Sequence, residues 1–359
     1  MTDLTSTSRR ELLASLVLGT AALFHAPRAF SQGAASASRA SAANRGRIDV
    51  HFHLGGAGGF GGGGGDAAIT AAANQSVEEM DRAGTAVGII SASSSGAGTG
   101  TLDQRNRQAR GFNETATRWS ADHPTRFGLW ARLPLTDIDA SLKEIEYAYG
   151  VLKADGIGLV TSYEDLWLGD PKLRPVFEEL NRRKAVVYVH PNDAVCCGGA
   201  NLLTYEKLNP PVGGSWLEYP MNTARTIFSL MLGGTIRQFP DIKFIFSHGG
   251  GVTPLLLSRI EGFAAWNSVG PDKLRQLFPD GLSNEFRKLY FEVAQAFSKV
   301  NMDALSALVP STHILYGSDY PVFPLDTSAK GLEKLALPAN LRRAIDRDNV
   351  VTLLPRWKA

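Results

Sequence analysis

Arg47-Ile48-Asp49-Val50-His51-Phe52-His53-Leu54-Gly55 is the stretch on which the fold of this chain turns. A short run of β-branched and aromatic residues that stops at a glycine cluster has the form of a buried strand ending in a loop. Side chains two apart on a strand share a face, so His51 and His53 project together. Two imidazoles at a strand end suit a metal ion; a pair satisfied by backbone hydrogen bonds is the alternative at this point. The remaining ligands must come from elsewhere in the chain.

Strand-like runs recur downstream, alternating with amphipathic helical segments. They are Ile48 to His53, Ala86 to Ala92, Arg126 to Leu133, Gly156 to Thr161, Val186 to His190, Lys243 to His248, Leu289 to Val293 and His313 to Ser318. Between them lie a helix around Ser76 to Gly84, with Ser76 as N-cap, then Asp103 to Asp122, Ile138 to Leu152, Leu173 to Lys184, Met221 to Phe239 after Pro220, and Pro254 to Ala265. Eight alternations predict a parallel sheet closed into a (β/α)8 TIM barrel over residues 46–359. A single barrel needs about 250 residues, so the 359 present leave room for a leader and long loops.

Composition narrows the partners. The chain is 44% hydrophobic and 20% charged, as a globular protein is, and its formal net charge is +2 with Lys and Arg scattered throughout. That balance lacks the basic footprint of a nucleic-acid binder and points to a small molecule. The two cysteines, Cys196 and Cys197, are adjacent and cannot staple distant loops. A strained vicinal disulfide, a pocket wall or two inert thiols remain open for them.

Residues 1–45 follow the grammar of a targeting segment. Ser8-Arg9-Arg10-Glu11-Leu12-Leu13 precedes the apolar run Leu12 to Phe24, then Ala29-Phe30-Ser31-Gln32 and an Ala/Ser-rich tract. This resembles a twin-arginine export signal and predicts a periplasmic destination; a disordered tail or a membrane anchor is the alternative, although the run is short for a span of about 20 residues. Two loops also stand out. Gly55 to Gly65 reads as a mobile loop after the first strand, either a lid or a plain insertion, and the stretch Pro191 to Tyr219 is long enough to be functional.

In a parallel barrel all strand C-termini share one face, so residues distant in sequence meet there. Strand one ends in His51 and His53, strand five in His190, strand six in Phe246-Ser247-His248-Gly249-Gly250-Gly251, and strand eight in Leu315-Tyr316-Gly317-Ser318-Asp319-Tyr320-Pro321. Imidazoles with a carboxylate suit a divalent ion such as zinc. His25, His123 and His313 fall in the leader, at a helix end and at the opposite barrel face, and read as non-catalytic.

This order of strand-end residues resembles the amidohydrolase superfamily, and the phrases around His248 and Asp319 resemble its aminocarboxymuconate-semialdehyde decarboxylase branch. Within it, Trp167-Leu168-Gly169-Asp170-Pro171, the stretch from His190 to Cys197 and Trp216-Leu217-Glu218-Tyr219-Pro220 are similar to the 6-methylsalicylate-decarboxylase-like group. The resemblance implies that His51, His53, His190 and Asp319 ligate one metal ion, zinc by expectation, and that His248 is the acid/base residue beside it. With no lysine or glutamate closing strand four, it implies a mononuclear centre. It also implies that Arg259 reaches a neighbouring subunit's site to bind the substrate carboxylate, making a homodimer the active unit. Glu218 is a further substrate-binding candidate. The family's other carboxylate-binding arginine has no counterpart, because Leu54 to Val77 contains neither Lys nor Arg.

The expected activity is decarboxylation of a small aromatic or unsaturated acid, with His248 and Asp319 moving the proton. Two rivals are weighed beside it: a metal-dependent hydrolase of an ester, lactone or C–C bond on the same scaffold, and a non-catalytic exported binding protein.

Overall fold

A computed structural model of the chain describes residues 46–54, 66–93, 100–195, 214–266 and 270–358. The leader, Gly55 to Gly65, and the pair Cys196 and Cys197 lie outside the described residues. Eight strands follow one another in a single parallel sheet: β1 (Arg47–His53), β2 (Thr85–Ser91), β3 (Phe127–Arg132), β4 (Gly156–Val160), β5 (Val186–His190), β6 (Lys243–Phe246), β7 (Tyr290–Glu292) and β8 (Ile314–Leu315). The last returns to the first through the Val50 N–H donating to the Tyr316 carbonyl at 3.1 Å and the His53 N–H donating to the Tyr320 carbonyl at 2.8 Å. The sheet is thereby closed as the (β/α)8 barrel that the alternation predicts.

Helices α1 (Asp66–Ala83), α2 (Leu102–Asp122), α3 (Ile138–Gly150), α4 (Arg174–Arg182), α5 (Glu218–Leu232), α6 (Thr253–Trp266), α7 (Lys299–Leu308) and α8 (Asp326–Lys334) follow their respective strands. Two predicted starts are corrected. Ser76 is not an N-cap: α1 begins at Asp66, and Ser76 lies on its buried face. Pro220 does not precede α5 but sits in its first turn, where no intrahelical N–H bond is needed. The helix predicted to reach Phe239 stops at Leu232, because Gly234 turns left-handed at φ +74° before a separate turn at Thr235–Gln238. Among the described residues no helix is long and apolar enough to cross a membrane.

The core has two layers separated by the strands. Val186 and Tyr188 of β5 pack inside the barrel with Ile48, Val87, Ile89, Trp130 and Ile245, while Val187 and Val189 join Phe244, Phe246, Ile157 and Leu159 beneath the helices. Each buried Val or Phe is worth about 1.5–3 kcal/mol, so a one-residue slip, which would exchange the two faces, is strongly disfavoured. Trp130 lies flat over Tyr188, with ring centroids 6.0 Å apart. It fits because β4 carries Gly156 opposite: a Cβ there would sit 2.8 Å from the indole.

Strand β1 departs from simple alternation. Its register against β2 shifts between Asp49 and Phe52, and Asp49 Oδ1 accepts from the backbone N–H groups of His51 and Ser318, both at 3.0 Å. Val50 consequently stays with the inner layer, Phe52 joins the outer one, and both His51 and His53 are buried on the inside. The irregularity aims the two histidines.

Candidate metal centre

His51 and His53 on β1, His190 at the end of β5 and Asp319 beyond β8 each offer one donor atom, and the four atoms lie within 4.8 Å of one another. His51 Nε2 is 3.1 Å from His53 Nε2 and 3.1 Å from Asp319 Oδ1, which is 3.3 Å from His53 Nε2. All four residues are buried.

The other nitrogen of each ring is held by an acceptor. His51 Nδ1 donates to Glu292 Oε1 at 2.8 Å, His53 Nδ1 to the Ser91 carbonyl at 3.0 Å, and His190 Nδ1 to the Pro191 carbonyl at 2.7 Å. These partners assign the Nδ1–H tautomer to the neutral rings and turn the Nε2 lone pairs inward. Two such nitrogens 3.1 Å apart beside a carboxylate need a proton or a metal cation among them: a proton on His51 makes the contact a hydrogen bond, and a metal ion takes both lone pairs. Tetrahedral ligands at about 2.0–2.1 Å from a metal sit roughly 3.4 Å from each other, so the spacing fits a divalent ion.

The electrostatics agree. Burial works against a charged His51, yet the carboxylates of Asp319 and Glu292 outweigh it and push that imidazole up to about 10. Asp319 is opposed by burial as well, but His51 and the hydrogen bonds from both β1 histidines hold it well below the usual carboxylate range. His190 goes the other way: burial, reinforced by His53 and His51, pushes it well below the ordinary imidazole value. The centre favours positive charge, but next to Asp319 rather than spread over the rings.

His248 follows β6 and stands at the edge of this group, its ring centroid 5.0 Å from that of His51. Its Nδ1 donates to the Ala294 carbonyl at 3.1 Å, which leaves Nε2 for exchange with a ligand. His248 and Asp319 both adopt left-handed backbone conformations, at φ +54° and +64°. Such non-glycine conformations cost about 1–3 kcal/mol each and gather at functional sites.

Glu292 was not singled out from sequence. It ends β7, is fully buried, and its Oε1 accepts from both His51 Nδ1 and the His248 backbone N–H, each at 2.8 Å; Oε2 accepts from the Ala294 N–H at 2.6 Å. With these lone pairs engaged it orients the site rather than ligating a metal. Gly317 makes the space for it, because a Cβ at that position would collide with the Glu292 carboxylate. The available signal was an acid in an otherwise apolar strand, Tyr290-Phe291-Glu292-Val293.

Other predicted residues are not among the clustered donor atoms. Arg259 is exposed on α6, its guanidinium over the Phe263 ring at 4.7 Å. Glu218 opens α5, partly buried, and pairs with Arg225 at 3.4 Å. His123 caps the C-terminus of α2, and His313 stacks on Tyr290 at 4.0 Å from a 3-10 turn just before β8.

The amidohydrolase family profile matches residues 48–356. The chain is 37% identical to the decarboxylase yanB of Aspergillus niger over 262 residues, 70% of this chain and 69% of that protein. It is 34% identical over 256 residues to the 6-methylsalicylic acid decarboxylase of Penicillium expansum, with 70% and 75% covered. Among solved structures, a dihydroxybenzoic acid decarboxylase from Polaromonas sp. JS666, with bound manganese and an inhibitor, matches with a TM-score of 0.74 at 20% identity, over 88% of this chain and 98% of that one. Since the profile runs from β1 past β8 and takes in every strand end that delivers a donor atom, the chain belongs to the amidohydrolase family.

Proposed function

We propose that the protein is a metal-dependent carboxy-lyase that releases CO2 from a small aromatic carboxylic acid. The observation that carries this is the set of four inward donor atoms with His248 at its edge, in a chain whose relatives at 37% and 34% identity are named decarboxylases. Three imidazoles and one carboxylate suit a single Zn2+, with Mn2+, which the Polaromonas enzyme holds, as the competing occupant. A divalent ion held by His51, His53, His190 and Asp319 supplies Lewis-acid charge for the substrate's oxygens.

The chain's own residues supply the proton traffic. A proton on His248 Nε2 passes to the ring carbon that bears the carboxylate; the C–C bond then breaks, its electron pair returns to the ring, and CO2 departs. Asp319, with one oxygen turned to both β1 histidines, is the second group for that traffic. Glu292 holds His51 and the His248 backbone through one oxygen, so a single carboxylate orients both a ligand ring and the stem of the acid/base residue.

We further read the active unit as a homodimer in which Arg259 reaches the neighbouring site, with Glu218 as a polar wall beside the substrate. Support comes from the exposure of the Arg259 guanidinium and its planar donor geometry. Export to the periplasm is inferred from Arg9-Arg10 and the apolar run after it.

The test is CO2 release from 6-methylsalicylate and dihydroxybenzoates by protein loaded with Zn2+ or Mn2+, run beside hydrolysis of aryl esters and lactones. We expect CO2 release, about one metal ion per chain, and loss of both in His190→Ala. Hydrolysis without CO2 would reassign the chemistry to a hydrolase on the same scaffold. A parent protein that binds no metal would remove the catalytic reading.

A further inference from the structure

His190 differs from the other two imidazole ligands in what holds its second nitrogen. The acceptor for His51 is Glu292 at the end of β7, and that for His53 is the carbonyl of Ser91, the last residue of β2. His190 Nδ1 instead donates to the carbonyl of the next residue, Pro191, at 2.7 Å, where the chain has left β5 for the long stretch to Tyr219. A ring that takes its direction from a peptide beyond the strand keeps it only if that peptide is held.

Buried side chains do the holding. The Thr161 N–H, just past β4, donates to the His190 carbonyl at 3.0 Å. The Asn192 N–H lies in the same peptide plane as the Pro191 carbonyl, and it donates to Thr161 Oγ1 at 3.2 Å. That hydroxyl donates in turn to Asn192 Oδ1 at 2.6 Å, which also accepts from the Ser162 N–H at 3.0 Å, and Asn192 Nδ2 donates to the Ser162 carbonyl at 2.9 Å. From the other side, Asn222 of α5 donates through Nδ2 to the Asn192 carbonyl at 2.8 Å, while its Oδ1 accepts from Arg225 at 2.6 Å. Thr161, Ser162, Asn192 and Asn222 are all buried. None of them belongs to the donor set, and buried polar groups are costly unless paired. Fully paired, they specify one geometry, and that geometry contains the peptide whose carbonyl orients His190.

We propose that Thr161 and Asn192 are positioning residues for the metal centre. The clamp they form holds the Pro191–Asn192 peptide so that His190 presents Nε2 to the ion, and β4, whose end adds no atom to the donor set, acts on the metal through this clamp. The inference rests on the metal-dependent part of the proposed function and is independent of the reaction.

The experiment is zinc affinity of the full chain by chelator competition, with the visible spectrum of the Co2+-loaded protein as a second readout. Thr161→Val keeps the volume and removes the hydroxyl; it should lower zinc affinity about tenfold and alter the Co2+ bands. Thr161→Ser restores the hydroxyl and should bind zinc within about twofold of wild type. Asn349→Ala controls for stability alone: Asn349 Nδ2 donates to the Ser311 and Ile314 carbonyls, both at 2.8 Å, at the opposite barrel face, and its loss should lower the melting temperature without moving zinc affinity. Unchanged zinc affinity in Thr161→Val, no recovery in Thr161→Ser, or an equal loss in Asn349→Ala would overturn the proposal. If Thr161→Val does not fold, Asn222→Ala takes its place, since it withdraws the donor from the Asn192 carbonyl; unchanged zinc affinity there overturns the proposal likewise. A Thr161-dependent zinc affinity in a protein that releases no CO2 would uphold the clamp and remove the carboxy-lyase reading, and CO2 release with a Thr161-independent affinity would do the reverse.

Discussion

One carboxylate, that of Glu292, ties the ligand His51 to the backbone of His248. Its replacement by glutamine keeps the shape and removes the charge that fixes the His51 tautomer. Orienting partners of this kind are worth about 10- to 100-fold in metal affinity, so Glu292→Gln should lower zinc affinity by that factor in a chelator competition. A variant that binds zinc like wild type would reduce Glu292 to a packing role. His51 makes a second expectation. Its imidazole stands at about 10 without metal, above the ordinary 6.5, so at pH 8 the ion must displace a proton from it. Apparent zinc affinity should rise about tenfold per pH unit between pH 7 and 9, with a proton released per ion in calorimetry run in two buffers. The linked stability runs the opposite way in the metal-free protein: the protonated His51 stabilises it fully below about pH 6.5, and this contribution is lost as pH rises through 10.

Among the elements, the contact of β3 with α2 and α3 ties the barrel to its helical layer. Asn113, fully buried on α2, satisfies both backbone groups of Arg132 and one oxygen of Glu144. Asn113→Ala leaves those groups unpaired in the core and should cost about 2–3 kcal/mol, read as a lower urea midpoint with an unchanged slope. Element boundaries were legible in sequence where local chemistry set them. Val186 to His190 is both the predicted and the observed β5, because its alternation serves two packed layers. Thr101, whose side chain forms a capping box with Gln104, caps α2, and the helix begins at Leu102, one residue before the predicted start. Ser76 misled because it has the chemistry of a cap but occupies a buried position in α1, which only contact with the sheet reveals.

For the whole molecule, the proposed dimer ties assembly to catalysis. If Arg259 serves a neighbouring site, the native mass is that of a dimer at micromolar concentration, and mixing Arg259→Met with His190→Ala restores activity through hybrid sites. Sedimentation as a monomer with full activity would remove Arg259 from the reaction.

The sequence by itself determined the barrel and the gathering of His51, His53, His190, His248 and Asp319 on one face, because the apolar pattern marks the strands and parallel closure brings all strand ends to one side; the division of these five into four ligands and one acid/base residue is what the family resemblance implies. Glu292 and Arg132 were decided only by tertiary structure. Each is a charge on a buried strand, and sequence does not show whether such a charge has a partner. That depends on what the neighbouring strands place beside it: Gly317, the His51 ring of β1 and the His248 backbone for Glu292, and for Arg132 neighbours among the described residues that include no carboxylate pairing with it. Even His51-Phe52-His53, the clearest motif in the chain, depends on the register shift at Asp49 to turn both imidazoles inward, a feature created by pairing with β2 and β8 rather than by the strand alone.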